Sequence, residues 1–155
     1  MTPADRTVLF LCVENAGRSL MAEAFFNADP PPGYRAISAG TRPSTAPNPR
    51  TAPMLREVGV EPPAHPPQPL TIEMDEAADV RVTMGCLDDA SCPAHLKTHP
   101  LVDWDLPDPA RLDDDGFRRV RDEIRERVRL LGLELRAADR PDPAASRPTP
   151  SRRDR

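Results

Sequence analysis

Cys12 and Arg18 stand six residues apart, with Val13, Glu14, Asn15, Ala16 and Gly17 between them and Ser19 directly after. A thiol and a guanidinium around such a loop are the parts of an oxyanion site that carries its own nucleophile. If the loop joins a strand end to a helix start, its backbone N–H groups converge on one point. The positive end of the helix adds to them, and a tetrahedral oxyanion is held there. Arg18 brings a planar fork able to grip two anion oxygens. Gly17 is expected to relieve steric limits in the loop, and Asn15 to hold a left-handed turn with its side amide bonding the loop. Ser19 is expected to cap the helix and to donate to the Cys12 sulfur. The same groups favour a thiolate, so Cys12 should have a lowered pKa and be nucleophilic near neutral pH. The alternative makes Cys12 a small buried hydrophobe and Arg18 a surface charge. Asn15, Gly17 and Ser19 in the intervening loop favour the anion site.

The flanking elements suit that role. "TVLFL" (7–11) is a continuous apolar run of strand length, as in a buried parallel strand. From Ser19 a helical pattern runs through Leu20, Met21, Ala24 and Phe25 until "DPPPGY" breaks it. "YRAISAG" predicts a second strand ending near Ser38, and a short helix is expected around Pro49 to Val58 after the turn-rich "TRPSTAPNPR". "EPPAHPPQP" is an extended connector, Thr71 a helix cap before "IEMDEAA", and "DVRVTMG" the third strand. Residues 85 to 111 have no periodicity and hold the other two cysteines, Cys86 and Cys92, with His95 and His99. A long loop of that kind inside a compact domain is usually functional. The clearest helix follows, with Phe117, Val120, Ile124, Val128, Leu131 and Leu135 in one stripe and Asp113 to Asp115 at its start. Strands alternating with helices imply an open, mostly parallel α/β sheet with ligands beyond the carboxyl ends of its strands. Cys12, Ser38 and Gly85 fall at such ends.

The chain has 155 residues, enough for one domain with a real core. We expect that domain over residues 1–138 and a disordered, Pro- and Arg-rich tail over 139–155. A net charge of −4 gives no general basis for binding nucleic acid or an acidic membrane surface. No stretch is long and apolar enough to span a membrane, and "MTPADRT" is no signal peptide, so a cytoplasmic protein is expected. Three cysteines are too few for a disulfide scaffold, which points their chemistry towards catalysis or redox.

"VLFLCVENAGRSLMAEAFF" closely resembles the phosphate-loop segment of the low-molecular-weight tyrosine phosphatase superfamily. "SAGT", "ADVRVTMGC" and "DWDLPDPA" follow in the order and spacing that superfamily shows, and the resemblance covers residues 6 to 136. It implies a four-stranded parallel sheet flanked by helices and either of two activities, phosphotyrosine hydrolysis or arsenate reduction. It also implies that Asp108 is the general acid, on a loop stiffened by Pro107 and Pro109. Two features favour the reductase. Ala110 and Arg111 follow Asp108, where phosphatases of this kind carry aromatic walls for a phosphotyrosine ring. Trp104 is expected to be a packing residue. Cys86 and Cys92 stand where reductases of the superfamily carry redox cysteines.

The implied chemistry is a thiol relay serving arsenic detoxification. Cys12 attacks arsenate with assistance from Asp108, Cys86 attacks the Cys12 sulfur, and Cys92 then attacks Cys86. The resulting Cys86–Cys92 disulfide is reduced by an external dithiol such as thioredoxin. Some relatives with similar segments use mycothiol and a mycoredoxin in its place. Phosphate and sulfate are expected as competing anions. Some reductases of the family bind a potassium ion at positions matching Asn15, Glu23 and Ser38. The rival readings are a tyrosine phosphatase using Cys12, Arg18 and Asp108, and a non-catalytic sensor binding oxyanion or arsenite through three thiols. A zinc site of Cys86, Cys92, His95 and His99 has acceptable ligand types but would tie up the relay cysteines.

Overall fold

The structure, a computed structural model, describes residues 6–84 and 102–139. Cys86, Cys92, His95, His99 and Gly85 lie outside the described residues, as does the expected tail beyond Asp139.

Four parallel strands form one sheet in the order β2–β1–β3–β4: β1 is Arg6–Cys12, β2 Tyr34–Gly40, β3 Val80–Thr83 and β4 Val102–Asp103. The helices are α1 (Arg18–Ala28), α2 (Thr51–Arg56), α3 (Ile72–Ala77) and α4 (Asp114–Asp139), with a 3₁₀ turn at Pro109–Arg111. The α/β class and the four-stranded parallel sheet are as expected. Three of the strands fall where the apolar runs place them, while β4 is two exposed residues inside the stretch read as an irregular loop.

β1 is central and buried on both faces, which is why it reads as an unbroken apolar run. Alternation sends Val8, Phe10 and Cys12 into the larger core with α1, α2 and α4, while Leu9 and Leu11 pack in the smaller core with Ala39, Ala78 and Met74 of α3. Trp104 packs on Phe10, ring centroids 5.7 Å apart, in the packing role expected of it. The α4 stripe is as predicted: Phe117, Val120, Ile124 and Val128 are buried, with Leu131 and Leu135 packed against the core edge. Burying a side chain such as Ile124 contributes about 1.5–3 kcal/mol. Asp113 Oδ1 accepts the Gly116 N–H at 2.8 Å and so caps α4. The helix reaches Asp139, whose carboxylate meets Arg6 at 2.7 Å.

α1 is buried more fully than the helical pattern of Leu20, Met21, Ala24 and Phe25 alone indicates. Arg18 to Phe26 are all buried, because α1 lies between the sheet and α4. Thr71 caps α3 through Met74 N–H, as expected. α2 is joined to α4 by Glu57, just past its end, which binds Arg118 at 2.9 Å and Arg121 at 2.6 Å. Those bonds lower the Glu57 carboxyl to a pKa of about 2, the Arg118 hydrogen bond being the largest cause and the Arg121 bond the next. No helix among the described residues is long and apolar enough to cross a membrane.

Candidate active site

The end of β1 delivers Cys12, buried, to the floor of a small pocket, and the chain then turns through Val13–Gly17 into α1. The loop's carbonyl groups decide which way its N–H groups face. Cys12 O accepts Thr41 N–H, Val13 O accepts Arg42 N–H at 2.8 Å, Glu14 O accepts Ser44 N–H, and Ala16 O accepts both Asn48 N–H and the Thr51 hydroxyl. Gly17 O accepts Met21 N–H, the first turn of α1. With these carbonyls drawn outward, the loop's concave side is lined by donors, the condition for holding an anion.

Asn15 has φ 51°, the left-handed turn expected of it. Its Oδ1 accepts Gln68 N–H at 2.9 Å, which turns the amide nitrogen towards Ser19 Oγ (2.7 Å) and Ser38 Oγ (3.0 Å). Ser19 Oγ therefore already accepts a hydrogen, and its own proton is available to Cys12 Sγ, 2.9 Å away. Asn15 N–H donates to the same sulfur at 3.3 Å. Two donors on one buried sulfur, at the start of an eleven-residue helix, favour the thiolate.

Two loop expectations are corrected. Ser19 does not cap α1: the N-cap is Gly17, with no side-chain cap bond, and the Ser19 hydroxyl is committed to the cysteine. Nor is Gly17 the sterically required glycine, since a Cβ there would meet nothing closer than 3.8 Å. The crowded glycine is Gly40, which pairs with Cys12 in the sheet and whose added Cβ would lie 2.6 Å from Val13 O. Sequence reading missed Gly40, Asn48, Thr51, His65 and Gln68. The signal for Gly40 was present in "SAGT", a glycine at a strand end beside the one carrying the thiol.

Arg18 is buried, and its Nη1 donates to Met84 O (3.1 Å) and Leu106 O (2.9 Å). Anchoring by two carbonyls fixes the guanidinium plane at the pocket. Asp108 caps the 3₁₀ turn, its Oδ1 accepting Ala110 N–H at 3.0 Å, which leaves Oδ2 available to carry a proton. Cys12, Glu14, Ala16, Gly17, Arg18 and Asp108 line one pocket of about 30 Å³, with Asn48 and Pro109 at its sides and fully buried Phe117 beneath. That is two to three times the roughly 10–15 Å³ one water requires, a space scaled to a small oxyanion.

Asn15, Glu23 and Ser38 are brought together as expected, but not as a cation cage. Ser38 Oγ donates to Glu23 Oε1 at 2.6 Å, and His65 Nε2 meets the same carboxylate oxygen at 2.8 Å. His65 Nδ1 faces Pro66 O at 2.7 Å. Burial depresses the His65 pKa, but the Pro66 carbonyl and the Glu23 carboxylate outweigh it, so the net shift is upward. Ser38 and His65 thus both engage the Glu23 oxygen that would face a cation at this group.

The family model described as low molecular weight phosphotyrosine protein phosphatase matches residues 7–140. An arsenate reductase of Staphylococcus epidermidis is 32% identical over 123 residues, covering 79% of this chain and 92% of that protein. A thioredoxin-dependent arsenate reductase of Corynebacterium glutamicum superposes with a TM-score of 0.72 at 32% identity, over 89% of this chain and 65% of that one. An arsenate reductase in a phosphate-binding state gives 0.73 at 30% identity, over 84% of this chain and 98% of that one.

Proposed function

The chain belongs to the low molecular weight phosphotyrosine protein phosphatase family, and from that premise we propose that it is an arsenate reductase with Cys12 as nucleophile. The observation that carries this reading is the pocket: about 30 Å³ around a buried sulfur, with Phe117, fully buried, the one aromatic lining residue among the described residues. Such a site holds a free tetrahedral oxyanion and offers no walls for an aryl ring. The relatives that are arsenate reductases support the same choice.

In the proposed reaction the Cys12 thiolate, supported by Ser19 and Asn15, attacks arsenic while Arg18 and the loop N–H groups of residues 13–19 hold the remaining oxygens. Asp108 Oδ2 gives its proton to the departing oxygen, which leaves as water. Cys86 then attacks the Cys12 sulfur. The S–As bonding pair passes to arsenic, which leaves as arsenite, and a Cys12–Cys86 disulfide forms. Attack of Cys92 on Cys86 releases Cys12, and a thioredoxin-type dithiol reduces the Cys86–Cys92 disulfide. Phosphate and sulfate, as tetrahedral anions, compete for the same loop.

The test is NADPH oxidation on adding arsenate, with thioredoxin and thioredoxin reductase present, for the wild type, Cys12→Ser and Cys92→Ser. Turnover by the wild type and its loss in both variants is expected. Turnover surviving in Cys12→Ser sinks the nucleophile assignment. Activity only with mycothiol and mycoredoxin changes the reductant. Vigorous aryl phosphate hydrolysis, indifferent to loss of both Cys86 and Cys92 and without arsenate turnover, replaces the reductase by the phosphatase.

A further inference from the structure

Arg50, at the N-cap of α2, makes more connections than an ordinary partly exposed arginine. Its Nη1 donates to Leu112 O (2.9 Å) and Asp114 Oδ1 (3.1 Å), and its Nη2 to Pro109 O (3.2 Å) and Ala110 O (3.3 Å). The guanidinium lies over the Phe117 ring, 4.7 Å from its centroid. Three of the four acceptors are carbonyls of the turn that follows Asp108, and the fourth is in the first turn of α4. A planar fork with donors on both nitrogens can hold several acceptors in one fixed arrangement, which an ammonium cannot.

The other end of the same short segment grips the nucleophile's loop. Asn48 N–H and the Thr51 hydroxyl both donate to Ala16 O, at 3.0 and 2.8 Å. Arg50 N–H is itself tied to Asn48 Oδ1 at 2.9 Å. Residues 48–51 therefore touch the Cys12 loop on one side and the Asp108 loop on the other. Both loops line the one pocket, although 90 residues of sequence separate them.

We propose that Arg50 is a positioning residue: residues 48–51 form a strut that sets the distance between Cys12 and Asp108, and Arg50 is its attachment to the acid's loop. It touches no reacting atom and acts through Asp108. The proposal rests on the assignment of Asp108 as the general acid. A positioning error of about 1 Å costs on the order of a hundredfold in rate, so partial release of the loop should cost about tenfold.

The experiment compares Arg50→Ala and the milder Arg50→Lys, each in the native and in the Asp108→Asn background, by kcat and KM for arsenate. Amide hydrogen exchange at Ala110, Arg111 and Leu112 is followed alongside. With Asp108 present, Arg50→Ala should lower kcat by about tenfold and Arg50→Lys by less, each with little change in KM. In Asp108→Asn they should lower it no further, and exchange should rise at 110–112 while exchange at residues 13–19 does not change. An equal fall in both backgrounds, or a rise in KM at constant kcat, overturns the proposal. So does unchanged exchange at 110–112. If the wild-type chain turns over no arsenate, it is the function that fails. The strut is then judged by the exchange alone, where a rise confined to 110–112 upholds it.

Discussion

Replacing Gly40 by alanine adds one methyl group at the point where β2 meets the anion loop. The new Cβ would lie 2.6 Å from Val13 O, 3.0 Å from Asn15 N and 3.1 Å from Asn15 Cβ. Gly40 cannot retreat, because its N–H is held by Gln68 O and its carbonyl by Leu70 N–H, each at 2.9 Å. Val13 O is held in turn by Arg42 N–H at 2.8 Å. The loop must therefore yield by about half an ångström, an overpacking cost of about 1–3 kcal/mol. For a domain of this size that lowers Tm by roughly 2–12 °C. Asn15 N–H, a donor to the Cys12 sulfur, moves with it, and kcat/KM for arsenate should fall about tenfold. Gly59→Ala is the control. Its φ of +79° makes an alanine strained, but nothing lies within 4 Å of the new methyl. It should cost about 1–2 kcal/mol and leave kcat/KM unchanged. Thermal melts and steady-state kinetics on the three proteins decide the matter. A Gly40→Ala chain that melts and turns over like the wild type would refute the close approach as the reason for glycine.

Ser19→Ala removes a hydrogen bond to a developing thiolate. At about 1.5–3 kcal/mol, its loss should slow alkylation of Cys12 by iodoacetamide at pH 7 at least tenfold, and an unchanged rate would mean that Asn15 N–H and α1 suffice. His65 has a folded pKa above its unfolded value of about 6.5. Its contribution to stability is thus complete below that pH and lost as pH rises through the folded value. The stability gap between wild type and His65→Gln, about 0.5–1 kcal/mol at pH 6, should close at higher pH in urea titrations. A gap that widens would contradict the imidazolium. Glu57 is the opposite case. Its carboxyl is lowered to about 2, so its contribution is present above its unfolded pKa of about 4.5 and lost as pH falls from there towards 2. Wild type and Glu57→Gln should converge in stability across that window, and parallel curves would deny the Arg118 and Arg121 bonds their role.

The parts of the fold that local pattern specifies were readable in the sequence. β1 announces itself as a run buried on both faces, and α4 as a stripe with three aspartates before it. The anion loop was readable because its chemistry is concentrated in eight consecutive residues. β4 was not, since two exposed residues carry no periodicity and their pairing with β3 is a fact of tertiary structure. The supports of the site were hidden for a related reason. Gly40, Thr51, His65 and Gln68 act on residues 12–23 from 25 to 53 positions away. Each does so through a single bond or contact that no spacing rule encodes. Gly17 misled because a glycine beside a thiol invites a steric explanation that belongs to the strand next door.

The strip from Thr41 to Thr51 holds the anion loop mainly with its own main chain: N–H groups at 41, 42, 44 and 48, helped by the hydroxyls of Ser44, on the Glu14 carboxylate, and Thr51, on Ala16 O. Proline, which has no N–H to give, occurs at 43, 47 and 49, between those donors. The information that shapes the floor of the site is thus written largely in backbone and ring constraint, leaving the exposed side chains of Thr45 and Ala46 open to change. Such a strip can accept changes at those two positions while the anion-binding floor is inherited intact.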